Sequence, residues 1–211
     1  WIKEVPSVLE AWFSGTESGN AIAAVLVGDV NPSGKLPMTF AVRLEDYPAH
    51  TVGEYPGDSI NVKYNEGIFV GYRWTDKHKI RSLFPFGHGL SYTTFQYGKA
   101  LLSSSEMNEK EILTVTIPIK NTGKVKGKEI VQLYIGDEKS SLERPVKELK
   151  GFQKIELNPG EEKVVEFNIT SNDLKFYDEA IQDWKAEQGK FNIFIGSSST
   201  DIRAKAKFNL K

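Results

Sequence analysis

Residues 84–97 read FPFGHGLSYTTFQY and join two halves of the chain that differ in pattern. A flexible linker is rich in Gly and Ser and poor in large apolar groups, because it buries nothing. This stretch instead carries several Phe and Tyr side chains around Gly87 and Gly89. Large aromatic side chains gain free energy by leaving water. The sequence therefore predicts a packed junction between an irregular first half and a regular second half.

The second half alternates apolar and polar residues with a period of two, as strands with one buried face do. Residues 113–120 show the pattern most clearly, and residues 165–170 and 202–210 repeat it. Further candidate strands occupy residues 99–104, 128–136, 151–157 and 190–196. About seven short strands in roughly 110 residues predict an immunoglobulin-like antiparallel β-sandwich.

Two prolines of the second half indicate local geometry. Asn158-Pro159-Gly160-Glu161 has Pro and Gly at the two central positions that a type II turn requires. Pro118 lies within a strand pattern and has no N–H to donate. It predicts that its side of that strand faces an edge of the sheet.

The first half mixes helical and strand periods. Residues 8–13 predict a buried strand, residues 20–27 a helix that ends at Gly28, and residues 35–40 a second strand. This order predicts part of an α/β layer with a right-handed crossover. Forty residues cannot close such a layer, so we expect its other strands to come from a preceding part of the same polypeptide.

The apolar residues in the rest of the first half show little periodicity. Residues 41–66 predict a long surface excursion. Residues 68–74 predict a further strand, since apolar residues dominate there. The chain begins at Trp1 rather than Met, which we interpret as a sign of an excised or processed segment. The missing leader therefore says nothing about export: a periplasmic or secreted location stays open, and no residue demonstrates it.

The amino-acid composition limits the classes of function that this chain can have. The 211 residues are 39% apolar and 26% charged, as expected of a globular chain with a packed core. The formal net charge of −1 gives the chain no overall positive potential that would attract a polyanion or an anionic membrane. Neither nucleic acid nor membrane is therefore an expected partner. The lack of cysteine excludes disulfides, thiolate catalysis and zinc–thiolate sites, and leaves the redox compartment open.

Glu17 is the one candidate for a role near substrate. It lies in a glycine-bounded loop before the predicted helix, where a carboxylate gains about 0.3–1 kcal/mol from the helix dipole. Capping or pinning of the loop is the simpler interpretation. A role at an interdomain cleft is the alternative.

The histidines predict no metal site, because no carboxylate lies at ligand spacing from His50, His78 or His88. His88, between two glycines, predicts a buried turn histidine that is hydrogen-bonded to backbone. Four charged residues near the excursion could form a polar cluster. Since long charged side chains are mostly exposed, we expect a solvated surface instead. These residues are Asp58, Glu66, Arg73 and Asp76.

Tryptophan side chains are the candidates for stacking against sugars. Trp12 and Trp74 occur inside apolar patterns, so we predict that both are core residues, while Trp1 starts the chain. Trp184 is flanked by polar residues and is the candidate for glycan binding. One strand face is predicted to be exposed and to discourage edge pairing, because it carries Arg203, Lys205 and Lys207.

Five blocks of the sequence, in order and over nearly the whole chain, resemble glycoside hydrolase family 3. The first two stretches, AWFSGTESGNAIA followed by GDVNPSGKLP, resemble the end of that family's α/β-sandwich domain. The last two blocks fall in what would be its fibronectin type III-like domain. The blocks are residues 11–23 with 28–37, 64–76, 83–92, 143–152 and 173–178.

The resemblance implies a mixed α+β fold. Residues 1–97 would be the C-terminal part of an α/β-sandwich domain with its long excursion loop, and residues 98–211 a fibronectin type III-like β-sandwich. It also implies a retaining hydrolase of the β-glucosidase type that acts on β-linked glucosides. That mechanism needs two carboxylates roughly 5–5.5 Å apart.

In the family, the nucleophilic Asp lies on an N-terminal (β/α)₈ barrel and the acid/base Glu on an upstream loop of the α/β-sandwich. Neither segment lies in these 211 residues. The resemblance therefore implies a non-catalytic C-terminal portion that needs no cofactor, is inactive alone, and has as partners the barrel, the rest of the α/β-sandwich and the carbohydrate substrate.

Two other classes of function stay open. A free-standing carbohydrate-binding or adhesion module would need an exposed aromatic platform on its sandwich. A structural domain that stabilises a partner polypeptide would expose a large apolar patch over residues 1–40.

Overall fold

The computed structural model describes residues 2–211, so Trp1 lies outside the described residues. We call residues 2–92 the first segment and residues 95–211 the sandwich. Two helices, α1 (Ser18–Val27) and α2 (Tyr72–His78), and a short antiparallel pair of strands, β1 (Phe40–Ala41) and β2 (Ser82–Phe84), belong to the first segment. Its excursion is irregular, as predicted, apart from two 3₁₀ turns at Leu44–Asp46 and Pro48–His50.

The sandwich contains the remaining strands and a one-turn helix, α3 (Ser171–Leu174). The strands are β3 (Phe95–Tyr97), β4 (Leu101–Leu102), β5 (Glu106–Met107), β6 (Leu113–Asn121), β7 (Gly127–Asp137), β8 (Glu148–Leu157), β9 (Glu162–Ile169), β10 (Phe176–Asp178), β11 (Asp183–Lys185), β12 (Gly189–Gly196) and β13 (Ile202–Leu210).

Two sheets face each other in the sandwich. One has the order β5-β13-β12-β7-β8, and in the other β6 pairs with β9, β3 and β4. All pairs are antiparallel except β5 with β13. β10 and β11 form a separate hairpin. The mixed α+β class with an antiparallel β-sandwich is confirmed.

Alternation along the strands builds the core between the two sheets. Every second residue of β6 is buried. Strand β12, which alternates, and strand β7, which is buried on both faces from residue 131 to residue 136, supply the opposite layer. Burying one such side chain contributes roughly 1.5–3 kcal/mol. The centre of this core consists of Leu113, Val115, Ile117, Ile119, Val131, Leu133, Phe191, Ile193, Ile195 and Phe208.

Most predicted strands of the sandwich are confirmed, and so is the turn at Asn158. Gly160 adopts φ +78° and Glu161 N–H donates to Asn158 O at 3.0 Å, as in a type II turn. The strand predicted over residues 99–104 is shorter, because β4 spans Leu101–Leu102. The short strands β3, β5, β10 and β11 were not predicted, since two or three residues show no period.

Pro118 lies in a central strand, so the prediction of a sheet edge is wrong. β9 pairs with one side of β6, while β3 and β4 share the other side with a break between them. Gly98, in that break, donates its N–H to Pro118 O at 2.8 Å. N and O of one residue point to the same side of an antiparallel strand. The proline nitrogen therefore faces the interruption, where no ladder bond is lost.

Helix α1 is predicted well. It ends at Gly28, which has φ +87° and donates its N–H to Val25 O at 3.1 Å. A left-handed residue at this position is the usual role of glycine at a helix end. No residue of α1 is buried, and Leu26 is 68% exposed.

Three predicted strands of the first segment are wrong. Residues 8–13 have no regular secondary structure and are mostly exposed, because no other described strand of this chain lies beside them. Of residues 35–40, only Phe40 is in a strand. Residues 68–74 turn into α2, because Gly71 adopts φ +57° and redirects the backbone. The predicted α/β crossover is therefore not formed within residues 2–41.

Candidate functional site: the interface between the first segment and the sandwich

An aromatic cluster joins the junction to the sandwich. Tyr72 of α2 stacks on Phe86 with ring centroids 5.0 Å apart and meets Tyr134 of β7 edge-on at 5.8 Å. The Tyr72 hydroxyl accepts a hydrogen bond from Leu149 N–H at 2.9 Å. Burial raises the pKa of Tyr72 above its usual value. Phe95 is buried in the sandwich core. These contacts confirm that the junction packs.

Gln132 of β7 connects three parts of this interface. Its Nε2 donates to Gly87 O at 3.1 Å and to Ser197 O at 2.7 Å, and its Oε1 accepts from the Tyr134 hydroxyl at 2.5 Å. Only 3% of Gln132 is exposed. A Cβ on Gly87 would lie 2.2 Å from Gln132 Oε1, so glycine is required there.

Ion pairs fix α2 against the sandwich. Asp76 pairs with Lys147, and their side chains are 14% and 8% exposed. Burial raises the pKa of Asp76, and the hydrogen bond from Lys147 opposes the rise. Arg73 pairs with Glu148 at 3.0 Å. A further pair at 2.6 Å joins Lys77 and Glu143 at the surface.

Asn31 links the loop after α1 to the junction and to the sandwich. Its Oδ1 accepts hydrogen bonds from Ser91 Oγ at 2.9 Å and from Tyr92 N–H at 2.8 Å. Its Nδ2 donates to Lys126 O at 3.0 Å. The Tyr92 hydroxyl in turn donates to Val25 O in α1 at 2.7 Å. The end of α1 is thereby attached to the junction.

A polar cavity of about 330 Å³ lies between the two parts, beside the junction. Lys35 Nζ donates to Gly89 O at 2.9 Å and lies 3.5 Å from Glu129 Oε1, which also accepts from the Tyr97 hydroxyl at 2.9 Å. On the opposite wall Arg203 pairs with Asp201. The charges in the cavity therefore have partners on its own walls.

His88 lines this cavity and is half-buried. Its ring stacks on Phe84 with centroids 5.8 Å apart, and its main chain pairs with Pro85 and Leu36. Its ring has no hydrogen bond within the described residues, so the predicted bond to backbone is made by the main chain alone. Burial and the charge of Lys35 lower the pKa of His88.

Glu17 is the N-cap residue of α1, and its carbonyl accepts from Ala21 N–H at 2.9 Å. Its carboxylate accepts from Asn20 Nδ2 at 2.6 Å rather than from a backbone N–H. The side chain is exposed. This geometry fits the pinning of a loop, while a role near substrate stays a prediction.

The four charged residues near the excursion do not form a polar cluster, and the expected solvated surface is correct for Asp58 alone. Asp58 is exposed and accepts from Asn61 N–H at 2.6 Å. Glu66 is 9% exposed, and its Oε2 has no partner within residues 2–211. Arg73 and Asp76 face the sandwich. Gly71 sets the direction of α2, and this direction places Arg73 and Asp76 against the sandwich.

Near the start of the first segment, many large apolar side chains are exposed. Between residues 2 and 38 no side chain is buried. Trp12 is 52% exposed with φ +48°, so its predicted core position is wrong, whereas Trp74 is 6% exposed as predicted. Exposed apolar side chains occur along residues 2–40, where a domain that stabilises a partner polypeptide would carry an apolar patch. They are Val5, Val8, Leu9, Trp12, Phe13, Leu26, Val27, Val30 and Met38.

Within residues 2–211 no three His, Asp or Glu side chains come together as metal ligands. No helix in the same range combines the length and the apolar character that are needed to span a bilayer. Arg203, Lys205 and Lys207 lie on the exposed face of β13, as predicted. Gln132 and Lys147 were missed because both are polar residues in the sequence, and the sequence does not show which polar residues are buried.

Two family models match the two parts of this structure. The model of the glycosyl hydrolase family 3 C-terminal domain matches residues 1–92, and that of the fibronectin type III-like domain matches residues 129–199. Beta-glucosidase BoGH3A of Bacteroides ovatus is 54% identical over 99% of this chain. The chain belongs to glycoside hydrolase family 3. Thermostable beta-glucosidase B of Acetivibrio thermocellus, another similar member, is 51% identical over 96% of the chain.

Solved structures of beta-glucosidases agree with this assignment. A beta-glucosidase from Kluyveromyces marxianus in complex with glucose superposes with a TM-score of 0.92 at 38% identity and covers 100% of this chain. Beta-glucosidase 3B from Thermotoga neapolitana gives a TM-score of 0.90 at 39% identity. The chain spans 28% and 26% of the two sequence relatives, and 25% and 29% of these structures. It corresponds to the non-catalytic C-terminal portion of the family 3 enzyme.

Proposed function

We propose that this chain completes and braces a retaining β-glucosidase that acts on β-linked glucosides and oligosaccharides. The observation that carries the proposal is the interface. The Asp76–Lys147 ion pair and the hydrogen bond from Gln132 Nε2 to Gly87 O hold the sandwich on the first segment, while residues 2–38 offer an uncovered apolar surface to a further part of the enzyme.

The apolar surface has the character of a contact within a larger protein. Monomeric proteins rarely expose contiguous apolar patches above a few hundred Å². Here the exposed set extends from Val5 to Met38. The parts that cover it are, on the resemblance, a (β/α)₈ barrel and the remaining strands of the α/β-sandwich. The boundary between the two domains of this chain is proposed at residue 97.

The reacting carboxylates lie in those parts. The barrel supplies the nucleophilic Asp, and a loop upstream of Gly15 supplies the acid/base Glu. The sandwich then acts on the stability of the enzyme and not on the chemical step. Glu17 is the one residue of this chain with a proposed position near the cleft.

The experiment uses the longer polypeptide that contains this chain. It should hydrolyse an aryl β-glucoside with retention of configuration. Lys147→Met in that enzyme should lower the Tm and leave kcat at 25 °C within about twofold of the unchanged enzyme, because the interface stabilises the fold and takes no part in the chemical step. A longer polypeptide without β-glucosidase activity, or a kcat that falls while the enzyme is still folded, would refute the proposal.

A further inference from the structure

An exposed aromatic pair stands on the β10–β11 hairpin. Tyr177 and Trp184 lie directly opposite each other in the antiparallel register, so their side chains share one face. Their ring centroids are 5.8 Å apart, with planes inclined at 70°. Tyr177 is 47% exposed and Trp184 is 60% exposed. The hairpin therefore presents two adjacent aromatic rings, steeply inclined to each other, to water.

The opposite face of the hairpin holds it to the sandwich. Phe176 lies under the Arg144 guanidinium at 5.1 Å and under Lys185 Nζ at 5.5 Å. Lys185 also pairs with Asp178 at 2.6 Å, across the hairpin. Because these contacts fix the hairpin from behind, the outward pair is not required to anchor it.

The charges around the pair indicate a neutral ligand. Lys185 is paired with Asp178 and with Glu187, at 2.6 Å and 3.2 Å. Glu187 also accepts from Ser141 N–H at 2.9 Å. Asp183, exposed beside Trp184, accepts a hydrogen bond from the backbone N–H of Trp184 at 2.7 Å, and a carboxylate retains further capacity to accept from hydroxyl groups. A polyhydroxylated, uncharged ligand matches these groups.

We propose that Tyr177 and Trp184 bind a β-linked glucan chain by stacking against its sugar rings. In β-linked glucopyranose the substituents are equatorial, so each ring face presents C–H groups that pack on a flat aromatic surface. The choice of β-linked glucose rests on the proposed function, whereas the aromatic surface rests on the hairpin geometry alone. The pair would hold a polymeric substrate on the enzyme.

The test is affinity electrophoresis of the 211-residue chain in gels that contain a soluble mixed-linkage β-glucan, with dextran as the α-linked comparison. The chain should be retarded by the β-glucan and not by dextran. Trp184→Ala should weaken binding about tenfold and Trp184→Phe less, since a flat ring remains. Phe152→Ala removes an aromatic residue that is 64% exposed on β8 and should leave binding within about twofold.

Absence of retardation of the unchanged chain would overturn the proposal, and so would binding that persists in Trp184→Ala and Tyr177→Ala. A Trp184→Ala change that lowers the Tm of the longer enzyme but leaves glucan binding unchanged would overturn it too, and would assign the pair to a contact within the protein. Hydrolysis of a small aryl β-glucoside by the longer polypeptide does not require this pair, so a failure here is distinguishable from a failure of the proposed function.

Discussion

Asp76 of α2 and Lys147 of the sandwich form an ion pair across the interface, and water reaches little of either side chain. Burial raises the pKa of Asp76, and the hydrogen bond from Lys147 works against that rise. A buried charge that loses its partner is costly, because neither water nor an opposite charge replaces the lost interaction. Docking of α2 on the sandwich therefore depends on both charges.

Lys147→Met should lower the free energy of unfolding of the chain by about 3–5 kcal/mol at pH 7, because it leaves Asp76 buried and unpaired. The matched control is Lys63→Met, which breaks the exposed pair with Glu54 and should cost below about 1 kcal/mol. Urea unfolding measures both. Protonation of Asp76 removes the unpaired charge, so the loss should shrink at acid pH; equal losses in both variants would contradict the account.

Gln132→Leu should destabilise the chain by about 2–4 kcal/mol, because it leaves the Tyr134 hydroxyl and two carbonyl oxygens without partners in a buried site. Gln153→Leu is the control, since Gln153 is exposed on the neighbouring strand β8. Its effect should stay within about 0.5 kcal/mol. Thermal and urea unfolding would detect the difference, and a neutral Gln132→Leu would show that the interface does not use this side chain.

His88 should make stability depend on pH below neutrality. Its folded pKa lies below the usual value of about 6.5, so between those two values the unfolded chain binds more protons. Stability should fall as the pH drops from about 6.5 towards the folded pKa, by at most about 1.4 kcal/mol per pH unit. His88→Asn should lose less stability between pH 7.5 and pH 5.5. Parallel curves for the two proteins would argue against this assignment.

Gly160→Ala should cost about 1 kcal/mol, because a side chain at φ +78° is strained although nothing lies within 4 Å of the added Cβ. Gly160→Asn should cost less, since Asn tolerates the left-handed region better. Equilibrium unfolding of the two variants provides the comparison. An alanine variant as stable as the parent would mean that the type II turn does not form in solution.

The sandwich could be predicted from the sequence because this chain supplies both of the sheets that enclose its core. The alternation of Leu113, Val115, Ile117 and Ile119 is matched by buried residues of β7 and β12, so local pattern and tertiary packing agree. The short strands escaped prediction, since pairing of two residues is decided by neighbours distant in sequence.

The first segment was predicted less well for a physical reason. Residues 8–13 carry a strand pattern, but within this structure they have no partner strand, and Trp12 stays exposed. Residues 68–74 failed because Gly71 starts a helix that the apolar composition did not reveal. The division of the chain at residue 97 stays a prediction.

The candidate site was only partly visible in the sequence. Aromatic residues at Phe86 and Phe95 predicted a packed junction, and both residues pack. The buried polar residues Gln132 and Lys147 could not be predicted, because their burial depends on the position of the first segment on the sandwich. The sequence singled out Trp184 as the candidate for glycan binding, whereas its partner Tyr177 emerged only from the strand register.

Hydrolysis of an aryl β-glucoside by the purified 211-residue chain tests the central claim most directly. The account predicts no release of the aglycone above the rate in buffer at any chain concentration, because the proposed function places the reacting carboxylates outside this chain. Release that increases in proportion to the chain concentration, with retention of configuration, would contradict it.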